Sequence, residues 1–515
     1  MADVTAKRLP QPGNGCEKGL KAIMNKGIVA RLLFLVLALT LLAGCGSSFS
    51  PKSSEPPTPA SLSADNLNLI FVVSEDLAYQ ASGDINPSTA NLTNQGLQRS
   101  LLMAPFLQQQ VLGMQNVTGI YALEPMTHLQ TAGKYPDIVA LETIQQFAML
   151  NQTTISYGGS PPVTANSYPI FASYSLEAAL PPDVAPPAYL CAACQGLDFR
   201  HQDGDNEVLV SGILKANAPG FYVFSAPWET VSAVMANLNQ REGYNLTLPA
   251  SYISPNYIYA ISIAPSGSAS LVTYDSHITP PATYPVLSPP PASTACTAQT
   301  HFSITVTGGQ DGAVIPAGTN TNETVYFVRH ADAHPYNWWD DGNYIGEGQW
   351  RALDLPNALR DKIHPTQVYA IDPSVGNPGG DGSIASSYVR PALTVEPYAI
   401  ANNLPLNLAA SVPVFSQNPP EQPLSTFASA FFFNGGAFSN QTILVGWEHD
   451  HIPPTVNALL TSYGGNGPLA PTKWPDTDYD TIWTVKLDAV GNVTVNDGMC
   501  EGIDSGTLPN TPPQF

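Results

Sequence analysis

The sequence predicts an α/β protein of two tandem three-layer domains with mostly parallel central sheets, the first a degenerate copy of the second. Three observations lead there. Short β-branched and aromatic runs alternate with helical stretches in each half, five such segments recur in the same order in both halves, and a proline-rich break separates them. At 515 residues the chain is also too long for one ordinary core.

Residues 1–44 read as an export signal. Lys26 and Arg31 precede the apolar run Leu32 to Leu42, and Leu42-Ala43-Gly44-Cys45 closes it with small residues before a cysteine. That run is 11 residues long, well short of the ~20 needed to span a bilayer. The ending resembles a bacterial lipobox, which implies that Cys45 is the lipidated first residue of a mature protein of the bacterial cell envelope, on a periplasmic or outer surface. Residues 45–64 then form a disordered tether, because Ser47 to Pro59 is rich in Ser and Pro and has no apolar pattern.

The formal net charge is −21, and residues 1–44 hold six basic and two acidic residues, leaving 13 Lys plus Arg against 38 Asp plus Glu in the remainder. Such a body repels nucleic acid and anionic lipid headgroups. Its few basic residues are therefore informative.

The repeat begins with Leu69-Ile-Phe-Val-Val-Ser-Glu-Asp76, which aligns without gaps on Val325-Tyr-Phe-Val-Arg-His-Ala-Asp332. Gln95 to Arg99 then matches Glu347 to Arg351, Ile120 to Pro125 matches Val368 to Pro373, Phe221 to Phe224 matches Ile443 to Gly446, and Ile258 to Ile263 matches Ile482 to Leu487. These place a first domain at 65–279 and a second at 323–502. Six prolines between Pro280 and Pro291, followed by the Gly-rich run from Gly308 to Gly318, make 280–322 a linker, and 503–515 a tail.

Beyond Cys16 and Cys45 the cysteines are Cys191, Cys194, Cys296 and Cys500, an even number in an exported chain. Of three possible pairings, Cys191 with Cys194 and Cys296 with Cys500 is preferred. Cys191-x-x-Cys194 could instead be a redox motif or half a zinc site, but the prolines around it favour a loop staple.

The chemistry gathers in the second half. Arg329 and His330 end an apolar run, Ser386-Ser-Tyr-Val-Arg390-Pro-Ala-Leu-Thr394 brings a second arginine to the start of a helix, and Ile443-Leu-Val-Gly-Trp-Glu-His449 ends another strand in a histidine. In open α/β sheets ligands bind beyond such strand ends. In this order the elements resemble the histidine phosphatase (phosphoglycerate mutase-like) superfamily over about residues 323–460. The resemblance implies a phosphatase for small phosphate monoesters that needs no metal and no cofactor. His330 would be the nucleophile that becomes phosphohistidine, Arg329 and Arg390 would grip the phosphoryl oxygens, and His449 would donate to the same oxygens. Asp450 is the first choice of proton donor, with Glu448 or Glu396 as substitutes.

These residue types suit the task. Phosphate monoesters are so inert that charge stabilisation must supply most of the acceleration, and a guanidinium offers a planar pair of donors that lysine lacks. Each residue alone also has a plainer reading: a solvated turn for Arg329 and His330, an ion pair for Arg390, a surface or metal-binding role for His449 and His451. In the first copy Val73 and Ser74 stand where Arg329 and His330 stand, Pro227 replaces His449, and Glu75 and Asp76 make the strand end acidic. That copy is expected to be inert, with a protein partner the sequence does not identify. The alternative for the whole chain is a surface binding or structural protein that keeps the fold without turnover.

Overall fold

Leu67–Val73 (β1) is buried along its whole length, as is Gly220–Ala226. Only strands covered on both faces bury consecutive residues in this way. The structure is a computed structural model that describes residues 59–80, 82–125, 129–130, 135–155, 162–173, 206–287, 296, 300–333, 341–374, 376–378, 385–409 and 421–515. Residues 1–44, Cys45, Cys191, Cys194 and the Trp338, Trp339 and Asp340 segment lie outside these. The described residues belong to one compact unit, and none of their helices is long and apolar enough to cross a membrane.

The first sheet continues with Gly119–Leu123 (β2), Phe171–Ser173 (β3), Gly220–Ala226 (β4), Tyr257–Ile263 (β5) and Ala269–Asp275 (β6). Its order is β6-β5-β1-β4-β2-β3. The second sheet comprises Ser303–Val306 (β7), Glu323–Arg329 (β8), Gln367–Ala370 (β9), Leu406–Leu408 (β10), Thr442–Trp447 (β11), Thr481–Leu487 (β12) and Val493–Cys500 (β13), in the order β7-β13-β12-β8-β11-β9-β10. Apart from β7 the two sheets share one strand order. In each, β1 or β8 runs parallel to the strands on one side and antiparallel to its immediate neighbour on the other, β5 or β12, which in turn pairs antiparallel with β6 or β13.

Both sheets are thus mixed, the first still largely parallel, where the sequence suggested mostly parallel ones. The reason lies in the last two strands of each half. A turn at Ala264–Ser268 joins β5 to β6 and another at Asp488–Asn492 joins β12 to β13, and connections this short can only make antiparallel pairs.

Strand pairing also corrects one repeat equivalence. Leu69 pairs with Tyr222, while Val325 pairs with Ile443. Tyr222, not Phe221, is therefore the counterpart of Ile443, and Trp228, not Pro227, stands where His449 stands. Both strands are apolar on both faces, so their pattern does not fix register to one residue. The other strand equivalences keep their alignment: Ile120 and Val368 occupy corresponding places, as do Ile263 and Leu487.

Helices cover the sheets. They are Asn94–Phe106 (α1), Val139–Met149 (α2), Asn206–Ala216 (α3), Trp228–Arg241 (α4), Gly346–Leu359 (α5), Arg390–Asn402 (α6), Glu421–Phe433 (α7) and Ile452–Ser462 (α8). One apolar cluster runs from Leu69 and Phe147 through Leu353 and Ile400 to Leu508, joining the two halves. Polar contacts stitch the same seam: Gln145 Nε2 donates to Asn343 Oδ1 at 2.8 Å, Ser167 Oγ to Asp341 at 2.6 Å, and the Ala172 N–H to Ser387 Oγ at 2.8 Å.

Segments read as tether, linker and tail take part in this body. Leu62 is buried and its N–H bonds to the Val111 carbonyl at 2.9 Å. Within 280–322, β7 pairs with β13 and Cys296 is disulfide-bonded to Cys500, as the preferred pairing requires. In the tail, Thr511 accepts from Trp350 Nε1 at 2.8 Å and Pro513 from Gln146 Nε2 at 2.9 Å. Proline content signals stiff chain but says nothing of what that chain lies against.

At the seam Glu142 of α2 and Glu396 of α6 are buried and interact carboxyl to carboxyl, with Asp137, Tyr284 and Tyr344 around them. Burial pushes Glu142 up to about 8, and burial together with the nearby Glu142 charge pushes Glu396 well above the usual carboxyl range. Both are protonated in the fold at neutral pH and ionised in the unfolded chain. The Glu142 contribution to stability is therefore complete below about pH 4, the unfolded value, and is lost as pH rises through about 8, and Glu396 acts in the same direction. The melting temperature should fall between pH 5 and pH 9, and Glu142→Gln should flatten that fall. Thermal unfolding across the range checks it; an equal fall in the variant would locate the titration elsewhere.

Candidate active site

The strands β8 and β11 are parallel neighbours, with Arg329 opposite Trp447, and the His330 N–H extends the ladder to the Trp447 carbonyl at 2.8 Å. Their two exits therefore lie side by side. That puts His330 beside Glu448 and His449, residues 118 and 119 positions later in the chain.

His330 is 1% exposed. Its Nδ1 hydrogen-bonds the Ala331 carbonyl at 2.7 Å and its Nε2 lies 2.9 Å from Glu448 Oε2. A carbonyl can only accept, so Nδ1 carries a proton and Nε2 turns its other valence to Glu448. The Tyr388 hydroxyl donates to the same carboxylate oxygen, and His449 Nδ1 bonds the other, Oε1. Burial pushes the His330 imidazole down to about 4, and the Arg390 and Arg329 guanidiniums act in the same direction against Glu448. Burial alone would raise Glu448, but His330 and His449 overcome it and hold its carboxyl well below the usual range. Any proton between Nε2 and Oε2 is thus held weakly and kept only at acidic pH, so that the Nε2 lone pair is easily freed.

Two guanidiniums flank this pair. Arg329 Nη1 donates to the Asp476 carbonyl at 2.6 Å and to the Asp478 carbonyl at 3.3 Å, and its guanidinium carbon lies 3.8 Å from the centre of the Tyr479 ring. Its Nε is buried without a hydrogen-bond partner among the described residues, a donor that a phosphoryl oxygen would satisfy. Arg390 opens α6, its Nη1 3.3 Å from the Asn343 carbonyl and its guanidinium carbon 4.6 Å from the centre of the Tyr388 ring. Pro391 follows at the first turn of that helix, where its missing N–H costs nothing.

Two glycines permit the approach. A Cβ on Gly446 would lie 2.8 Å from the Pro391 carbonyl and 2.7 Å from Val395, so its absence lets α6 sit against β11. Gly342 has φ +73°, and a Cβ there would lie 2.0 Å from the Ser387 carbonyl; its own carbonyl accepts the Arg390 N–H at 3.1 Å.

The backbone beneath is braced. Thr394 Oγ1 accepts the Ala331 N–H at 2.7 Å and donates to the Arg390 carbonyl at 2.6 Å, tying the His330 strand end to the first turn of α6. The fully buried Arg351 pairs with Glu501 at 2.7 Å and donates from Nη2 to the Arg329 carbonyl at 3.1 Å.

The structure therefore brings His330, Arg329, Arg390, Glu448 and His449 together. Asp450 lies in the turn beyond, 3.8 Å from His449 Nε2 with its side chain 78% exposed, and Glu396 faces Glu142 at the seam. Tyr388, Tyr479 and Asp476, whose Oδ1 is 3.4 Å from His449 Nε2, were not singled out from sequence. They sit in irregular segments without periodicity, and the aromatic-proline cluster Trp474-Pro475-Asp476 was the only local hint.

In the first sheet the corresponding exit carries Val73 and Ser74, with Glu75 and Asp76 buried beyond them. Arg99, the counterpart of Arg351, pairs with Asp84 at 3.0 Å.

No protein-family model matches the chain, and no curated protein matches it in sequence. Solved structures do match, among them the one assigned as the phosphohistidine phosphatase SixA from Agrobacterium tumefaciens, at 16% identity over 33% of this chain and 92% of that chain, with a TM-score of 0.19.

Proposed function

We propose that this pocket hydrolyses small phosphate monoesters through a phosphohistidine on His330. The observation that carries the reading is the His330 environment: Nδ1 locked to a carbonyl, Nε2 beside an acid at 2.9 Å, and the Arg329 and Arg390 guanidiniums near enough for their charges to act on the ring.

The substrate phosphoryl group enters against Arg329 and Arg390, which neutralise its oxygens, and His449, which donates a hydrogen bond to them. In the form that keeps one proton between Nε2 and Oε2, populated at acidic pH, that proton passes to Glu448 and leaves the Nε2 lone pair free to attack phosphorus. The bond from phosphorus to the ester oxygen breaks as the N–P bond forms, and Glu448 hands its proton to the departing alkoxide. Water then enters, Glu448 removes one of its protons, and the resulting hydroxyl displaces the histidine to give inorganic phosphate. Glu448 suits the acid role better than Asp450, which is exposed to solvent.

The test is phosphate release from an aryl phosphate by the full chain in detergent, with chelator present, between about pH 4 and 8. Turnover is expected; none by folded protein at any pH would favour a binding role for the pocket.

We also place the protein on the bacterial envelope through a lipid on Cys45, a reading supported by the Leu32 to Cys45 sequence alone. Cys45→Ser should move the protein from the membrane to the soluble fraction of cells; retention in the membrane fraction would argue for another anchor.

A further inference from the structure

The His330, Glu448 and His449 side chains have a second chemistry that phosphoryl transfer leaves unused. Each histidine has one ring nitrogen turned to an oxygen outside the trio, His330 Nδ1 to the Ala331 carbonyl at 2.7 Å and His449 Nε2 to the Asp476 carboxylate at 3.4 Å. Such contacts fix the tautomer that leaves the other nitrogen as a ligand, the arrangement usual behind metal-bound histidines. The remaining nitrogens, His330 Nε2 and His449 Nδ1, both face the Glu448 carboxylate, one on each of its oxygens.

One atom from each of the three residues lies within 4.8 Å of the others. A tetrahedral ion with bonds of ~2.1 Å holds its ligands ~3.4 Å apart, so small side-chain shifts suffice to enclose one. We propose that His330, Glu448 and His449 form a site for a zinc-type divalent cation, and that filling it silences the pocket by taking the His330 Nε2 lone pair. Cation binding stands on the donor geometry; the silencing rests on the phosphatase reading.

Donor type selects the ion. Two imidazoles and one carboxylate suit Zn²⁺ and Co²⁺, whereas Mg²⁺ and Ca²⁺ need oxygen-rich shells. Arg329 and Arg390 oppose any cation by charge, which weighs most against ions held mainly by charge. Imidazole coordination depends less on that term.

The experiment titrates metal-stripped full chain with Co²⁺ and follows its visible absorption. Saturation at one ion per chain is expected, with bands of a four- or five-coordinate ion that Zn²⁺ abolishes. His449→Ala and Glu448→Gln, each checked for folding by circular dichroism, should weaken binding at least tenfold, while exposed His364→Ala leaves it unchanged. One equivalent of Zn²⁺ should lower aryl phosphate turnover at least tenfold, reversed by chelator. Absence of a one-to-one Co²⁺ complex, or one undiminished in both site variants, would overturn the site. Turnover unchanged or raised at saturating Zn²⁺ would overturn the silencing. A protein that binds Co²⁺ but never releases phosphate would retain the metal site and lose the phosphatase.

Discussion

His330→Ala is expected to lower phosphate release by at least about a thousandfold, since removing a nucleophile removes the covalent route rather than weakening it. The effect should fall on kcat, because Arg329, Arg390 and His449 still bind the phosphoryl group in the variant. The same substitution takes a buried imidazole away from Glu448 and leaves a cavity beyond the ends of β8 and β11. Circular dichroism and a melting curve must therefore accompany the kinetics. A folded variant that keeps more than about a tenth of the wild-type rate would remove His330 from the chemistry.

Glu448→Gln is the second large effect, about a hundredfold to ten-thousandfold on kcat, the range for losing a positioned proton donor. The amide still accepts from Tyr388 but cannot give a proton to the leaving group. The pH profile separates this from a structural loss. The shared proton is held below the ordinary range of either partner, because burial lowers His330 and two histidines lower Glu448. Wild-type activity should therefore be greatest where the pair keeps its proton, at acidic pH, and fall as pH rises. The Gln variant should lack that fall. Asp450→Asn, with its exposed side chain, should stay within about twofold of wild type; a large loss there with a normal Glu448→Gln profile would return the acid role to Asp450.

Much of this pocket was legible in the sequence because its main groups sit at the ends of regular elements. Arg329 ends an apolar strand with His330 next to it, His449 falls two residues past another, and Arg390 opens a helix before Pro391, so local pattern alone places each at one edge of the sheet. The choice among acids was not legible. Glu448 directly follows β11 and turns toward His330, whereas Asp450 falls two residues later, in the turn before α8. That difference depends on where the strand stops, which is the least certain feature of any sequence reading.

The remainder was hidden for a different reason. Tyr388, Thr394, Tyr479 and the Arg351–Glu501 pair meet the pocket through contacts between segments far apart in the chain. Polar residues carry no periodicity that would reveal such partners. The one-residue slip at Pro227 has its own cause, since a strand buried on both faces looks alike in neighbouring registers. The mixed character of the sheets could have been anticipated from the Gly267 and Gly491 turns, which leave room only for hairpins.

The most direct test of the central proposal is to trap the covalent intermediate. Full-length protein mixed with an aryl phosphate and quenched in alkaline denaturant, where phosphohistidine survives, should yield one phosphorylated peptide after digestion. The account predicts that this peptide contains His330, that its phosphate is lost in mild acid, and that it is absent from His330→Ala. Steady turnover with no phosphate on His330 at any quench time, or phosphate on another residue, would contradict it.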